Sequence, residues 1–249
     1  MPLVSVITPA FCAERFLPET LASIRAQSLR DWECLVVDDA STDRTAEIAA
    51  AAAAEDPRIH LIRQTANRGV AAARNAALRA ATGRYIAFLD ADDLWLPGKL
   101  ERQIAFMRAT GATLSYTAFR RIDETGTRVG RLITVPPAMT WRRLLKNTKI
   151  HTLTVVVDRE RTGPFAMAER RRDDIILWLT LLRHGATARG LNEDLARYRV
   201  VKGSLSSSHL RAAGWMWRAY REEIGLGRLD AFWCLCHYGA RAFWKRLSF

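Results

Sequence analysis

The stretch RYIAFLDADDLWLP carries three carboxylates within four positions, at Asp90, Asp92 and Asp93. They directly follow an aromatic and aliphatic run that predicts a buried strand. Carboxylates this close repel one another and raise one another's pKa unless a cation or a set of donors neutralises them. Two carboxylates spaced D-x-D can hold Mg²⁺ or Mn²⁺, directly or through water, and leave coordination positions open for diphosphate oxygens. The alternative is a solvated turn in which Asp92 or Asp93 caps a helix beginning near Pro97, which would suit one aspartate of the three.

A second polar cluster, Asp38-Asp39-Ala40-Ser41, follows another predicted strand. Asp39 can accept the imide N–H of a uracil, and Phe11, which follows the first predicted strand, offers an apolar face to the base. The alternative is a turn that starts a helix, with Ser41 as its N-cap.

Short apolar runs alternate with helical patterns and must position these side chains. Strands buried on both faces are predicted at 3–7, 33–37, 59–62 and 85–89, and helices at Leu17 to Ile24, 45–54 and 70–81, the last closed by Gly83 as C-cap. This alternation predicts an α/β fold with a parallel sheet wound by right-handed crossovers. Ligands of such sheets bind outside the carboxyl ends of the strands, where all the unusual polar residues lie.

Missing motifs and composition narrow the class of protein. G-x-G-x-x-G does not follow the first strand and no G-x-x-x-x-G-K-[ST] occurs, so neither a Rossmann dehydrogenase nor a P-loop NTPase is supported. The four cysteines are too scattered for a disulfide framework, and Cys234 and Cys236 are predicted to be small apolar fillers. Since no run of about 18 apolar residues and no secretory signal occurs, we expect a cytosolic protein that does not span a membrane.

The charge is divided unevenly along the chain. Residues 1–110 hold 13 Lys and Arg against 14 Asp and Glu, a net charge of −1, whereas residues 111–249 hold 25 against 12, a net charge of +13. The basic part must therefore face an anionic partner or simply keep the protein soluble by self-repulsion. No RNA- or DNA-binding motif occurs, so nucleic acid is not the expected partner.

Four ordered runs, VSVITPAF, VVDDASTDRT, NRGVAAARNAAL and FLDADDLWLPGKLERQ, resemble the nucleotide-sugar domain of glycosyltransferase family 2, the inverting GT-A enzymes. The match is dense over residues 3–110 and thinner to about residue 200. It implies a GT-A domain over 1–203, made of a donor half (1–110) and an acceptor half (111–203), followed by aromatic and basic helices over 204–249. It also implies a UDP-sugar or similar donor, Mg²⁺ or Mn²⁺ at the D-x-D, and inversion at the anomeric carbon.

The resemblance assigns the residues of the donor site. Asp39 would hold the uracil edge, the loop 67–69 would approach the nucleotide, and Arg74 either faces the site or pairs structurally. The implied contacts of the nucleotide sugar are Pro9, Ala10, Phe11, Glu14, Asp39, Asn67, Arg68, Gly69, Asn75, Asp90, Ala91 and Asp92, with Asp90 and Asp92 also the implied metal ligands. Phe11-Cys12 replaces a Tyr-Asn frequent in the family, so the hydrogen bonds of that pair are not expected here.

An inverting transfer also needs a general base opposite the leaving diphosphate. The run RRRDDIILWLTLLRHG, residues 170–185, resembles the family's E-D-x-x-L-W-L segment. The resemblance makes Asp174 the base and Asp173 the alternative. Both aspartates could instead simply favour the helix dipole, and Trp178 could belong to the core or form an acceptor wall.

The sequence from residue 195 onward indicates which acceptor the protein uses and where in the cell it acts. A strand is predicted at 195–201 and helices at 209–224 and 230–246; the run YRVVKGSLSSS and W-x-x-Y-R resemble teichuronic-acid and capsular polysaccharide transferases of the family. The aromatic and basic residues of 230–249 suit an anionic membrane surface, or the helix packs on the catalytic domain with a solvated basic face.

We therefore expect an acceptor glycan linked to polyprenyl diphosphate, bound at the inner face of the plasma membrane by a peripheral cytoplasmic enzyme. Its diphosphate would account for the arginines at 142, 143 and 170–172. A sugar-nucleotide nucleotidyltransferase is the second candidate, but TPAFCAERF lacks the glycines of its usual loop. A non-enzymatic basic binding module would leave the aspartates without a purpose.

Overall fold

The computed structural model describes residues 1–147, 149–169, 173–201 and 209–247, and for 209–212, 238 and 240–247 it describes the backbone alone. The strands are β1 (Val4–Ala10), β2 (Trp32–Asp38), β3 (Ile59–Arg63), β4 (Tyr85–Phe88), β5 (Leu94–Trp95), β6 (Leu114–Ile122), β7 (Val129–Ile133), β8 (Ala138–Met139), β9 (Val156–Asp158) and β10 (Ala188–Arg199). The helices are α1 (Leu17–Arg25), α2 (Thr45–Glu55), α3 (Val70–Ala80), α4 (Lys99–Thr110), α5 (Trp141–Leu144), α6 (Arg159–Thr162), α7 (Asp173–Arg183), α8 (His209–Arg218) and α9 (Arg228–Leu247), with a 3₁₀ turn at Thr152–Thr154 and a π-helical turn at Ala219–Glu223.

The strands form one mixed sheet in the order β3-β2-β1-β4-β9-β6-β10-β5, with β7 beside β6 and β8 beside β10. Strands β1 to β4 pair with one another in parallel, as the alternation of strands and helices predicts. Among the other described strand pairs only β6–β10 is parallel, and β9 runs antiparallel to both β4 and β6. The α/β fold is therefore confirmed, with parallel strands β1 to β4 and mixed pairing in the rest of the sheet.

Three local predictions are wrong, each for an identifiable reason. The run 59–62 is not buried on both faces, because β3 is the edge strand of the sheet and only Ile59 is buried. Gly83 is not the C-cap of α3, which ends at Ala80; a Cβ at Gly83 would lie 2.6 Å from the backbone nitrogen of Ser5, so close approach to β1 requires the glycine. Ser41 does not cap α2, because its Oγ accepts a hydrogen bond from the backbone N–H of Cys12 at 3.0 Å.

The C-terminal helices share the core of the catalytic domain. Tyr220, Ile224, Ala231 and Cys234 are buried in the same hydrophobic cluster as Trp178 of α7. Since Trp178 is fully buried, it belongs to the core and does not form an acceptor wall. Cys234 is the predicted apolar filler, whereas Cys236 is exposed because it lies on the outer face of α9. None of the helices in the described part of the chain combines the length and the hydropathy that a membrane-spanning segment needs.

Helix α4 carries an unusual lysine where the two halves meet. Lys99 is fully buried, and its Nζ lies 3.9 Å from the centroid of the Trp95 ring. This nitrogen has no hydrogen-bond partner among the described residues. Burial lowers the pKa of Lys99 well below its usual range, because the charged form is poorly solvated there.

Candidate nucleotide-sugar site

The ends of β1, β2 and β4 bring the predicted donor residues to one edge of the sheet. Because the strands are parallel and in register, Pro9 lies beside Val37 and Ala10 beside Asp38. The backbone N–H of Asp39 donates to the carbonyl of Ala10 at 2.9 Å, which joins the two strand ends. This edge lies where ligands of wound sheets bind.

Asp39 organises the loop that approaches this edge from α3. Its two carboxylate oxygens accept hydrogen bonds from the backbone N–H groups of Arg68 and Gly69, each at 2.8 Å. Asp39 is buried, and Gly69 immediately precedes α3 with a φ of 88°, a backbone conformation that favours glycine. Asp39 therefore supports the N-terminal end of α3 and does not cap α2, the helix that follows it in sequence. The loop 67–69 lies next to Asp39, as the resemblance implies.

Two turns next to this edge adopt a backbone conformation that is unusual for residues with a side chain. Cys12 has a φ of 47° and Ala40 a φ of 58°. These two residues follow β1 and β2, and the hydrogen bond from Cys12 to Ser41 joins their turns. Phe11 is half-exposed beside them, and Glu14 accepts a hydrogen bond from the N–H of Arg44 at 3.0 Å. Left-handed conformations of non-glycine residues are concentrated at ligand-binding sites of proteins.

The three aspartates after β4 have different surroundings. Asp93 is buried and accepts a hydrogen bond from the N–H of Arg199 at 2.8 Å. Burial raises the pKa of Asp93, as do the charges of Asp92 and Asp90. Helix α4 begins at Lys99 without a side-chain cap, so the capping alternative for Asp92 and Asp93 is wrong. The buried carboxylate of Asp93 thus holds the D-x-D loop to the end of β10. Asp90 and Asp92 are the two aspartates of this loop that could bind a ligand.

The D-x-D pair itself suits a divalent cation that keeps most of its coordination sphere for other ligands. Asp90 is partly exposed, and Asp92 forms no ion pair among the described residues. Burial and then the charge of Asp90 raise the pKa of Asp92 to about 6, because the nearby charges of Arg199 and Arg74 offset these two effects only in part. Over the described ranges no group of three or more His, Cys, Asp or Glu side chains is arranged to hold a metal. Two carboxylates are nevertheless sufficient for Mg²⁺ or Mn²⁺ bound mainly through substrate phosphates.

A buried arginine connects this pair to the acceptor half. Arg74 Nη2 lies 2.6 Å from Asp90 Oδ1, and its Nη1 lies 2.9 Å from Asp173 Oδ2. Arg74 therefore pairs structurally, which was one of its two expected roles. Its guanidinium fixes the position of the start of α7 relative to the D-x-D loop.

The two aspartates at the start of α7 differ in accessibility. Asp173 is buried against Arg74, and burial raises its pKa, although the charge of Arg74 opposes that rise. Asp174 is only partly buried, and its Oδ2 accepts a hydrogen bond from Thr152 Oγ1 at 2.9 Å. Its Oδ1 accepts from the N–H of Ile175 at 2.8 Å. Both aspartates lie in the first turn of α7, where a negative charge favours the helix dipole. Of the two, Asp174 is the more exposed, and hydrogen bonds orient both of its carboxylate oxygens.

The side chain of Asn75 is buried and is held by the backbone of Met167. Its Nδ2 donates to the carbonyl of Met167 at 2.9 Å, and its Oδ1 accepts from the N–H of the same residue at 2.7 Å. Asn75 thus fastens the segment that leads to α7, and its role in donor binding stays a prediction. Arg142 and Arg143 are exposed on α5, whereas the arginines at 170–172 and the run 202–208 lie outside the described residues.

Arg199 is a site-supporting residue that the sequence did not reveal. Besides its backbone bond to Asp93, its Nε donates to the carbonyl of Asp92 at 2.8 Å and its Nη2 lies 2.6 Å from Glu19 Oε2. Arg199 is buried, and it fastens the end of β10 to the D-x-D loop and to α1. The only signal in the sequence was an arginine within a strand pattern, which does not identify its contacts.

Comparison with known proteins identifies the family. The family described as "Glycosyl transferase family 2" matches residues 5–172, so the chain belongs to this family and is a glycosyltransferase. This sets aside the nucleotidyltransferase and the non-enzymatic binding module.

Two relatives cover most of the chain. The "Putative teichuronic acid biosynthesis glycosyltransferase TuaG" of Bacillus subtilis is 44% identical over 247 residues, which is 99% of this chain and 98% of the relative. The "UDP-Glc:alpha-D-GlcNAc-diphosphoundecaprenol beta-1,3-glucosyltransferase WfgD" of Escherichia coli is 36% identical over 216 residues, 86% of this chain and 84% of the relative.

Solved structures share the fold. TarS 1-349 of S. aureus, in complex with UDP-GlcNAc, superposes with a TM-score of 0.74 at 20% identity over 98% of this chain and 73% of its own. The mannosyltransferase PcManGT of Pyrobaculum calidifontis, in complex with GDP-Man and Mn²⁺, superposes with a TM-score of 0.71 at 23% identity over 96% of this chain and 73% of its own. These similarities establish the GT-A fold.

Proposed function

We propose that the protein transfers a sugar from a UDP-sugar to a hydroxyl of a polyprenyl-diphosphate-linked glycan, with inversion, during synthesis of a bacterial cell-surface polysaccharide. The observation that carries the proposal is the bridge through Arg74, whose guanidinium pairs with Asp90 of the D-x-D at 2.6 Å and with Asp173, the neighbour of Asp174, at 2.9 Å. The names of TuaG and WfgD support the polysaccharide and the lipid-linked acceptor, and the UDP-GlcNAc complex of TarS supports the donor.

On the donor side, the strand ends bind the nucleotide. Phe11 offers its half-exposed ring to the base, and Asp39 accepts the uracil imide N–H while it keeps the loop 67–69 in place. Each carboxylate oxygen can accept more than one hydrogen bond, so the two roles of Asp39 are compatible. Pro9, Ala10 and Glu14 complete the wall of this subsite.

At the diphosphate, Asp90 and Asp92 would hold Mg²⁺ or Mn²⁺. When bound, this cation supplies charge neutralisation to the departing diphosphate. Arg74 and Arg199 keep the two carboxylates in position, the first through the Asp90 side chain and the second through the backbone of Asp92. The loop is therefore held before the donor binds.

On the acceptor side, Asp174 acts as general base. Its carboxylate takes the proton of the acceptor hydroxyl as that oxygen attacks the anomeric carbon from the face opposite the diphosphate. Thr152 and the N–H of Ile175 orient the two oxygens of this carboxylate. Asp173 is a positioning residue, because its buried carboxylate is occupied by Arg74.

A lipid-linked acceptor places the reaction at the inner face of the plasma membrane, where the protein works as a peripheral cytoplasmic enzyme. The test is a panel of UDP-sugars incubated with Mn²⁺ and an undecaprenyl-diphosphate-linked sugar, with UDP release measured and the product analysed by NMR. We expect turnover with one donor and an anomeric configuration opposite to that of the donor. Asp92→Asn should remove Mn²⁺-dependent UDP binding without a change of fold. Retention of configuration, or UDP binding to that variant at parental strength, would contradict the proposal.

A further inference from the structure

Helix α9 exposes three large hydrophobic side chains on one face. Leu229 is 87% exposed, Phe232 61% and Trp233 58%. Their spacing of three and four residues places them side by side on the helix, and we call them the apolar patch. The other large hydrophobic residues exposed among the described residues, such as Val129, are isolated along the chain. Adjacent exposed aromatic and aliphatic side chains mark interaction sites on many proteins.

The opposite face of the same helix is fixed in the core. Ala231 and Cys234 are buried in the cluster that contains Tyr220 and Ile224. Arg183, in the last turn of α7, donates a hydrogen bond to the carbonyl of Ile224 at 2.8 Å. The apolar patch therefore belongs to a helix that is anchored to the catalytic domain at the end of α7 opposite Asp174. Both expected roles of this helix are thus compatible, because one face packs on the domain and the other faces outward.

A basic side chain lies next to the apolar patch. The Nζ of Lys146, which follows α5, lies 5.9 Å from the centroid of the Trp233 ring. Arg142 and Arg143 are exposed on α5, shortly before Lys146 in the chain. One acidic residue, Asp230, is also exposed on α9. Residues 111–249 as a whole have a net charge of +13. This charge opposes burial of the patch against a second copy of the chain and favours an anionic surface.

We propose that the apolar patch inserts into the headgroup region of an anionic bilayer, with Lys146, Arg142 and Arg143 against the phosphates. Tryptophan and phenylalanine side chains favour this depth of a membrane, and cations near it bind acidic lipids. The inference rests on the proposed lipid-linked acceptor and identifies the surface through which the enzyme reaches it. Helix α7 has 11 residues and is therefore about 16 Å long, with Asp174 in its first turn and the contact with the C-terminal helices in its last turn. Asp174 would thus lie about 16 Å from the helices that contact the membrane.

The test is co-sedimentation with vesicles of phosphatidylglycerol and phosphatidylcholine, compared with vesicles of phosphatidylcholine alone. Phe232→Ser and Trp233→Ser should each lower partition to the anionic vesicles about tenfold. Lys146→Gln should lower it about fivefold and reduce its sensitivity to salt. Val129→Ser, which removes an exposed hydrophobic residue from the edge strand β7, is the matched control and should bind as the parent does.

Thermal unfolding and UDP affinity of each variant separate this inference from the proposed function. Because Phe232, Trp233 and Val129 are exposed and Lys146 is partly exposed, both quantities should stay at the parental value. Parental vesicle binding by the Phe232 and Trp233 variants would overturn the inference, as would equal binding of the parent to neutral and anionic vesicles. A change from dimer to monomer in sedimentation velocity, without a change in vesicle binding, would assign the patch to a second copy. Failure of the parent to bind UDP would instead contradict the proposed function.

Discussion

The donor half and the acceptor half hold their carboxylates by contacts of different range. In the donor half, Asp39 is held by the backbone N–H groups of Arg68 and Gly69, 29 and 30 residues further along the chain, just before α3. In the acceptor half, Asp174 depends on Thr152, and its neighbour Asp173 depends on Arg74, which is 99 residues away in the donor half. Asp39 is thus held within the donor half, whereas the aspartate pair at the start of α7, which includes the proposed base Asp174, is tied to the donor half through Asp173 and Arg74.

The sharpest test of this difference is a substitution of Asp174, the proposed base. Asp174→Asn keeps size and polarity but cannot accept the proton, so transfer should fall by about 10²–10⁴-fold. UDP-sugar affinity should be retained, because the hydrogen bonds of Asp174 go to Thr152 and Ile175 and not to the predicted donor residues. The measurement is the transfer rate beside the affinity from calorimetry. Asp173→Asn is the control and should lose less activity; if it is the inactive variant and Asp174→Asn turns over normally, the two roles must be exchanged.

The bridge between the halves should have the next largest effect. Arg74→Met removes the charge that compensates Asp90 and Asp173, and loss of one partner of a buried ion pair costs about 3–5 kcal/mol. We expect a corresponding decrease in the free energy of unfolding, measured by urea denaturation. Arg120→Met breaks a half-exposed pair with Asp194, 2.7 Å long, and should cost at most about 1 kcal/mol. Equal losses in the two variants would show that the bridge does not hold the halves together.

A third test is confined to the donor half. Asp39→Asn replaces one carboxylate oxygen by an NH₂ group, which cannot accept the hydrogen bond from the backbone N–H of Arg68 or Gly69. The substitution also removes the charged acceptor proposed for the uracil imide N–H. UDP affinity should fall roughly ten- to a hundredfold, the usual effect of losing a charge-assisted hydrogen bond. Asp43→Asn is matched, since Asp43 also accepts backbone N–H groups, from Glu14 and Thr45, but has no predicted contact with the base. If both variants bind UDP equally well, Asp39 does not recognise uracil.

The smallest effect is expected where the halves meet, at Lys99. The folded protein lowers the pKa of Lys99, so the unfolded chain binds the proton more tightly. The free energy of unfolding should therefore rise with pH between the lowered pKa and the ordinary lysine value of about 10.4. Lys99→Met should flatten this dependence and stabilise the protein by about 1–3 kcal/mol at neutral pH, because it removes a buried nitrogen without a partner. The measurement is chemical denaturation of the parent and of Lys99→Met at several pH values. If the free energy of unfolding of the variant depends on pH as steeply as that of the parent, or more steeply, the expectation is wrong.

These contacts also explain what the sequence could predict. Residues at the ends of β1, β2 and β4 were predicted to meet because parallel strands end at one edge of the sheet, and they do meet. The sequence does not predict the role of Arg199, because β10 pairs with a strand 74 residues earlier through irregular register and the Arg199 side chain reaches three segments, at Glu19, Asp92 and Glu124. Periodicity reports which face of an element is buried, and it carries no information on which distant polar groups will share that interior.

The left-handed turns at Cys12 and Ala40 limit how the enzyme could be engineered for heat resistance. A Cβ in this conformation costs about 1–2 kcal/mol, so glycine at either position would relieve the folded state, with part of the gain offset by the larger freedom of the unfolded chain. The same freedom would loosen the two turns that border the predicted base-binding site. A variant selected only for a higher melting temperature would therefore tend to accept glycine at these two positions and lose affinity for its donor.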